Sequence, residues 1–426
     1  MRPTLVVLSF SLLLASCAQE HRAPSAWKVV QDVTPAALAA VNAADASVSS
    51  DGHGHAAATW VTRDSLGADA WVAVSSDSGH TWGEPFQLNE KPHAVSSYNE
   101  SRPLSAWGPN GVLAVTFMNE VGVAMRVSTD AGRTWGPLGV ANDDNANPLI
   151  YHGFTALDVL PDGRPILAWL DGRAFVTPDG GEPARVDIYM TTSNDGGRTW
   201  QPNTRVARDV CGCCRLGMTT AKRADGSADV AVVYRTASNE IRNARIALSH
   251  DNGTTFATDT LVANDQWHIE GCPMVGPQIV HGAKSGFVAW YRGESPDDST
   301  AHGRPKPGVY LTTWDAKDGG SGGRISPADS LNEAAYPMLA ATAEGALLGA
   351  VGSAVGGGEG APKRMVMAVR HAGADHMLSP WLYLGERVQS GALASVGPRL
   401  ALAAYTQGVE GSDSESRVRF VRISDR

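Results

Sequence analysis

The sequence predicts an all-β fold: a β-propeller of four-stranded blades, seven in number, with a six-bladed ring as the alternative. Three observations carry that expectation. An eight-residue turn recurs as SSDSGHTW (75–82), STDAGRTW (128–135), SNDGGRTW (193–200) and SHDNGTTF (249–256), with a worn fifth copy, TWDAKDGG, at 313–320. A short apolar run also recurs, and the ends of successive runs fall 52 to 65 residues apart, the length of one four-stranded blade with its loops. Finally, the 426 residues include 46 glycines and 12 tryptophans, which suits many short strands and tight turns better than long helices.

The elements follow in chain order. WKVVQDVT (27–34) reads as an outer strand without a turn motif of its own. Seven apolar runs then mark seven blades: HAAATW (55–60), GVLAVTF (111–117), RPILAW (164–169), ADVAVVY (228–234), GFVAWY (286–291), ALLGAV (346–351) and RLALAAY (399–405). VAND (140–143), VARD (206–209) and VAND (262–265) each follow a turn aromatic by a few residues and read as outer strands. RVRFVRIS (417–424) reads as an inner strand, so the last blade borrows its outer strand from the N-terminus. That exchange closes the ring and leaves no open sheet edge.

In the turn motif, Asp accepts backbone N–H groups, Gly takes a conformation that other residues resist, and the aromatic packs beneath. The four good copies resemble the Asp-box, or BNR repeat, of sialidases and related β-propellers. Sialidases have six blades, so the seventh apolar run is a departure from that family.

Composition narrows the function. The formal charge is −9 with no long run of either sign, which argues against a nucleic-acid or polybasic membrane-binding role. At the N-terminus, Arg2 precedes the apolar run LVVLSFSLLLA, which is too short to span a membrane, and Ser16 and Cys17 follow. Leu14-Ala15-Ser16-Cys17 resembles the lipobox of bacterial lipoproteins, in which the cysteine is acylated. The resemblance implies a signal peptide at 1–16, a lipid-tethered linker at 17–26 and a propeller at 27–426. An ordinary secretory signal is the alternative. The expected location is extracytoplasmic, periplasmic or at the cell surface. Ala18 stands where an aspartate would suggest inner-membrane retention, which favours the outer membrane. Membrane contact is expected through the lipid alone, and the protein is expected to be a monomer.

A propeller gathers two sets of loops on the face opposite the turn motifs: those joining strand four to the next strand one, and those joining strand two to strand three. The first set holds HAVSSYNESRP (93–103), ANPLIYHGF (146–154), DVCGCCRLGM (209–218), DQWHIEGCPM (265–274) and SLNEAAYPM (330–338). The second holds Arg63, Asp64, Asp171, Arg173, Arg235, Glu240, Arg292, Glu294 and Arg304. Loops that converge around an axis are where function is expected.

The sialidase resemblance implies specific roles on that face. Those enzymes hold a substrate carboxylate with three arginines and use a tyrosine nucleophile paired with a glutamate, plus an aspartate acid/base. AYPMLAATAEGALLGAV (335–351) resembles the nucleophile segment and makes Tyr336 its match. Arg235 and Arg304 match the second and third arginines, and Arg102 in Ser-Arg-Pro is the nearest match to the first. Arg215 and Arg292 join them as candidate ligand-binding residues. Met218 and Thr219 stand where the family glutamate should, so Glu270 is the candidate base, with Glu240 as another, and Asp171 is the candidate acid. Without its base, a phenol with a pKa near 10 stays protonated at neutral pH.

Cysteines form the second constellation. Apart from Cys17, four remain, three of them inside CGCC: Cys211, Cys213 and Cys214, with Cys272 one blade further on. An even number in an oxidising compartment favours disulfides. Adjacent cysteines lie too close for an unstrained bridge, so the least strained set is Cys213–Cys272 with Cys211–Cys214. The rival reading is a soft-metal site: zinc on four thiolates, or copper with His268, Met218 and Met274 nearby.

Three functions therefore stand side by side. The first is binding of a ligand such as an anionic glycan on the axial loop face. The second is sialidase-like hydrolysis through Tyr336, and the third is a cysteine-centred metal or redox module.

Overall fold

Seven antiparallel sheets follow one another along the chain. A computed structural model describes residues 26–425, apart from 39–40, 99, 182, 283–284, 300–304, 318, 320–321, 326–330, 355–364, 374–377 and 413. Blade 1 is built from Ala43–Ser50, Ala56–Arg63, Ala68–Ser75 and Phe86–Gln87. Blades 3, 4 and 6 repeat that order from His152, Gly217 and Leu331 onward. In blade 2 two short pieces, Val95–Ser96 and Leu104–Trp107, both pair with Leu113–Asn119 in the place of one first strand. Blade 5 has three described strands, Gln278–His281, Gly286–Arg292 and Gly308–Trp314, where four were expected. Beyond them, Leu311 and Ile325 exchange backbone hydrogen bonds of 3.0 and 2.8 Å, a single bridge where a fourth strand would lie.

Closure is as expected. Lys28–Asp32 pairs with Ser416–Ser424 as the outer strand of blade 7, behind Val388–Gly397 and Leu400–Gly408. RVRFVRIS is thus the third strand of its blade, one place further out than the innermost pair.

Each apolar run is the second strand of its blade, and the reason is burial on both faces. Ala228–Arg235 is buried along its whole length because blades 3 and 5 cover its two sides. Seven apolar clusters result, one at each contact between neighbouring blades, including that between blade 7 and blade 1.

The turn motifs join strands three and four. In the first, Asp77 accepts from the Thr81 backbone N–H at 2.8 Å and from the Thr81 hydroxyl at 2.7 Å. Asp130, Asp195 and Asp251 repeat both bonds. The glycines also let each turn dock on the preceding blade. A Cβ on Gly79 would stand 2.7 Å from Leu402 of blade 7, and one on Gly253 would stand 2.5 Å from Met190 of blade 3. With the turns on one face, both sets of connecting loops emerge on the other.

Candidate functional site

First strands from all seven blades surround the axis and leave a small cavity of about 150 Å³. Arg102 and Arg215 line it, together with Ser47, Ser105, Gln278 and Met338. Between the two arginines lies Glu100, which the sequence patterns did not single out. Arg102 donates to Glu100 Oε1 at 3.0 Å, and Arg215 Nε lies 2.8 Å from Glu100 Oε2. All three side chains are buried, Glu100 completely. One further nitrogen of each guanidinium reaches a backbone carbonyl: Arg102 Nη1 that of Gly391 at 2.8 Å and Arg215 Nη2 that of Pro337 at 2.9 Å. Burial pulls the Arg215 guanidinium down to about 10, while the Glu100 carboxylate pulls it the other way. The arrangement ties blades 2, 4, 6 and 7 together at the axis.

The other candidate arginines are likewise engaged. Arg235 donates to the carbonyls of Arg242 (3.2 Å), Val275 (3.0 Å) and Tyr291 (2.9 Å), and stacks on the Trp267 ring at 4.9 Å. Arg292 is fully buried and forms a two-pronged pair with Asp298 at 2.7 and 2.5 Å. Arg304, like Cys17, lies outside the described residues. None of the four described arginines offers an open guanidinium to a carboxylate ligand. Their sequence positions carried no sign of this, because most of their acceptors are backbone carbonyls.

Tyr336, Glu270 and Asp171 stand on blade 6, on the loop entering blade 5 and on blade 3 respectively. Tyr336 has a left-handed backbone, φ 53°, and is half-buried. Burial raises its phenol above the usual value, and Glu100 and Tyr291 raise it further. The carboxylate acting on Tyr336 is therefore Glu100, itself held by two arginines, while Glu270 is exposed. Asp171 is fully buried and accepts from Arg173 at 2.9 and 2.8 Å and from Trp169 Nε1 at 2.9 Å. His152 and Asp144 complete that cluster, 2.9 Å apart. Although the donor atoms of Asp144, His152 and Asp171 converge, Arg173 also lies against both carboxylates and supplies the compensating positive charge.

An open cleft lies beside this axial cluster, on the loop face at blade 5. Its volume is about 680 Å³. Half-buried Tyr291 forms its apolar floor, backed edge to face at 5.5 Å by the buried Trp267, and among the described residues Glu294, Lys306 and Glu333 supply its charged groups. Trp267 is fixed by a 2.8 Å bond from Nε1 to the Glu294 carbonyl. Glu294 belongs to the loop after the second strand and Glu333 to the start of blade 6. Of these residues only Glu294 is singled out by the sequence; Trp267 and Glu333 lie within the loops assigned to this face, and the group forms only when the two blades pack.

The cysteines do converge. Cys213 and Cys272 form a disulfide with Cα atoms 6.0 Å apart, stapling the loop entering blade 4 to the loop entering blade 5. Cys211 and Cys214 are free thiols, both buried, with sulfurs 3.0 Å apart, and Cys211 Sγ lies 3.7 Å from Cys213 Sγ. With Cys213 bridged, two thiols of the four remain for any metal. His268 is half-buried, and its backbone bridges to Ile241. Met218 and Met274 pack against the apolar cluster that includes Cys211, Cys213 and Cys214.

No family model and no curated protein matches the chain. Solved structures do. One is an ulvan lyase, described as a new family of polysaccharide lyase and bound to -[GlcA(1-4)Rha3S]-. It is 11% identical, covers 91% of this chain and 95% of its own, and superposes with a TM-score of 0.53. A second structure of an ulvan lyase is 12% identical, covers 90% of this chain and 95% of its own, with a TM-score of 0.51. A Hadza microbial sialidase is 14% identical over 85% of this chain and 75% of its own, with a TM-score of 0.46. At these identities the likeness is one of fold: the chain is a seven-bladed β-propeller.

Proposed function

We propose that this protein binds an acidic glycan in the cleft at blade 5, on the loop face of an extracytoplasmic, lipid-tethered propeller. The observation that carries the reading is the cleft itself. It combines an apolar floor at Tyr291, held from behind by the buried Trp267, with one cation, Lys306, and two carboxylates, Glu294 and Glu333, among the described residues. Sugar rings present apolar C–H faces to aromatic floors, while carboxylates orient their hydroxyls and a lysine meets a uronate or sulfate. A volume of about 680 Å³ accommodates two or three sugar units. The ulvan lyase structure, bound to a glucuronate–rhamnose sulfate unit, supports the choice of an acidic polysaccharide. The Cys213–Cys272 bridge supports an oxidising compartment, and the lipobox-like Leu14-Ala15-Ser16-Cys17 supports the tether.

Binding without turnover fits the site better than hydrolysis through Tyr336, because the phenol is shifted away from ionisation and its nearby carboxylate is committed to two arginines. The test is calorimetric titration of the protein with uronate-containing, sulfated, sialylated and neutral oligosaccharides. Acidic members bind, Lys306→Ala weakens them about tenfold, and salt weakens them further. Failure of every acidic oligosaccharide to bind, or equal binding of the neutral ones, overturns the reading.

A further inference from the structure

Four sulfur atoms meet where the loops entering blades 4 and 5 touch, and only half of them are bonded. We propose that Cys211 and Cys214 are a redox-active dithiol that exchanges electrons with external disulfides through the Cys213–Cys272 bridge. Three observations place each atom in that path. Cys211 and Cys214 have the Cys-x-x-Cys spacing and sulfurs 3.0 Å apart, closer than two unbonded sulfurs normally rest, so a small movement closes a second disulfide. Cys211 Sγ is 3.7 Å from Cys213 Sγ, within reach of attack on the existing bridge. The two ends of that bridge differ in exposure: Cys213 is buried, whereas Cys272 is exposed. The free thiols are sealed from solvent, so a reagent meets Cys272 first.

The exchange balances without an internal oxidant. Cys211 gives up its proton and its thiolate attacks Cys213. The Cys211–Cys213 bond forms, the Cys213–Cys272 bond breaks, and Cys272 leaves as a thiolate that takes a proton at the surface. A bridge between residues two apart is strained, so this intermediate is short-lived. Cys214 then loses its proton and attacks Cys211, and Cys213 leaves and takes that proton. The result is a Cys211–Cys214 disulfide with Cys213 and Cys272 reduced, and no electrons have left the protein. An external low-molecular-weight disulfide completes the cycle. Cys272 attacks it and releases one thiol, and Cys213 then attacks Cys272 and releases the second. The Cys213–Cys272 bridge is restored, and the two electrons of the Cys211–Cys214 dithiol now reside on two small thiols.

The surroundings suit such a nucleophile. Its hydrogen bond with Cys214 draws the Cys211 thiol down to about 7 against the effect of burial, and the Arg235 and Arg242 charges add to the shift. Burial holds Cys214 high, and the Cys211 thiolate raises it further, so one thiol of the pair ionises first.

The test uses the whole protein and glutathione disulfide as the oxidant. After equilibration, the sample is denatured in acid, alkylated and mapped by peptide mass. With excess glutathione disulfide, Cys211 and Cys214 lose their alkyl labels together and appear as one linked peptide pair beside Cys213–Cys272. Persistent labelling of Cys211 and Cys214 under those conditions overturns the proposal, as does purification with a stoichiometric soft metal that protects both thiols. The path is tested by rate. Replacing both bridge residues, Cys213→Ser with Cys272→Ser, slows oxidation of the Cys211/Cys214 pair at least about tenfold in folded protein. An unchanged rate removes the bridge from the path. Because the equilibration uses unaltered protein, the pair itself is tested whether or not that variant folds.

Discussion

Arg215 Nε stands 2.8 Å from Glu100 Oε2, joining the loop that opens blade 4 to the loop that opens blade 2 across the axis of the ring. Arg102 holds the other carboxylate oxygen at 3.0 Å, so one buried anion serves two buried cations. Removing that anion leaves two desolvated guanidinium groups with backbone carbonyls but no counter-charge. Glu100→Gln is expected to cost about 3–5 kcal/mol of stability, measured by urea denaturation, with the propeller fold retained at low urea. A loss under about 1 kcal/mol would show that water already compensates the pair.

The phenol of Tyr336 is expected to stay protonated through the neutral range, since burial, Glu100 and Tyr291 all raise its pKa. A fluorogenic sialoside should therefore show no turnover above background, and Tyr336→Phe should leave glycan affinity within about twofold. Turnover that Tyr336→Phe abolishes would restore the hydrolase reading.

Asp158 supplies a pH signature. Burial raises its carboxyl from 3.8 to about 6, against hydrogen bonds from Val159 and Thr220. The folded state thus binds this proton more tightly than the unfolded chain does. The resulting stability is fully present below about pH 4 and is lost as pH rises through about 6. Allowing for the partial exposure of the side chain, the loss is about 1–2 kcal/mol. Asp158→Asn keeps an acceptor for the Thr220 N–H and should flatten the urea-midpoint profile between pH 4 and 7 by that amount. A wild-type profile matched by the variant would rule the residue out.

Two turn glycines separate backbone strain from docking. Gly79 and Gly196 both have φ +73°, but a Cβ on Gly79 strikes Leu402 at 2.7 Å whereas one on Gly196 meets nothing within 4 Å. Gly196→Ala should cost about 1 kcal/mol, the strain alone. Gly79→Ala should cost about 1–3 kcal/mol more, because it wedges blade 1 from blade 7. Equal thermal shifts in the two variants would show that the turn does not bear on its neighbour.

Local patterns made much of this legible beforehand. The second strands were visible because burial on both faces demands uninterrupted apolar residues, and the turns because Asp, Gly and Thr act within eight positions of one another. Cys213–Cys272 followed from two loops occupying equivalent places on adjacent blades. The use of the arginines was not legible. Arg235 is held by carbonyls of Arg242, Val275 and Tyr291, and any residue type at those positions offers the same oxygen. Glu100 was hidden for a related reason: its partner Arg215 is two blades away, and the resemblance drew attention to tyrosine and arginine rather than to the acid beside Arg102. The cleft was missed because Tyr291, Lys306 and Glu333 belong to three separate elements.

Closure of the ring by Lys28–Asp32 on Ser416–Ser424 sets an order of events during synthesis. A chain made from its N-terminus can stack blades 1 to 6 as each emerges, but the segment that receives Lys28–Asp32 is translated only after all six. Until then the assembly is a horseshoe, with the apolar side of blade 1 at one end and of blade 6 at the other, both awaiting blade 7. A ribosome that stalls before Ser416, or a protease that removes Ser416–Ser424, leaves that horseshoe open and sticky at both ends. The clasp thereby works as a check on the seventh blade, since only a chain translated past Ser424 can hide both surfaces.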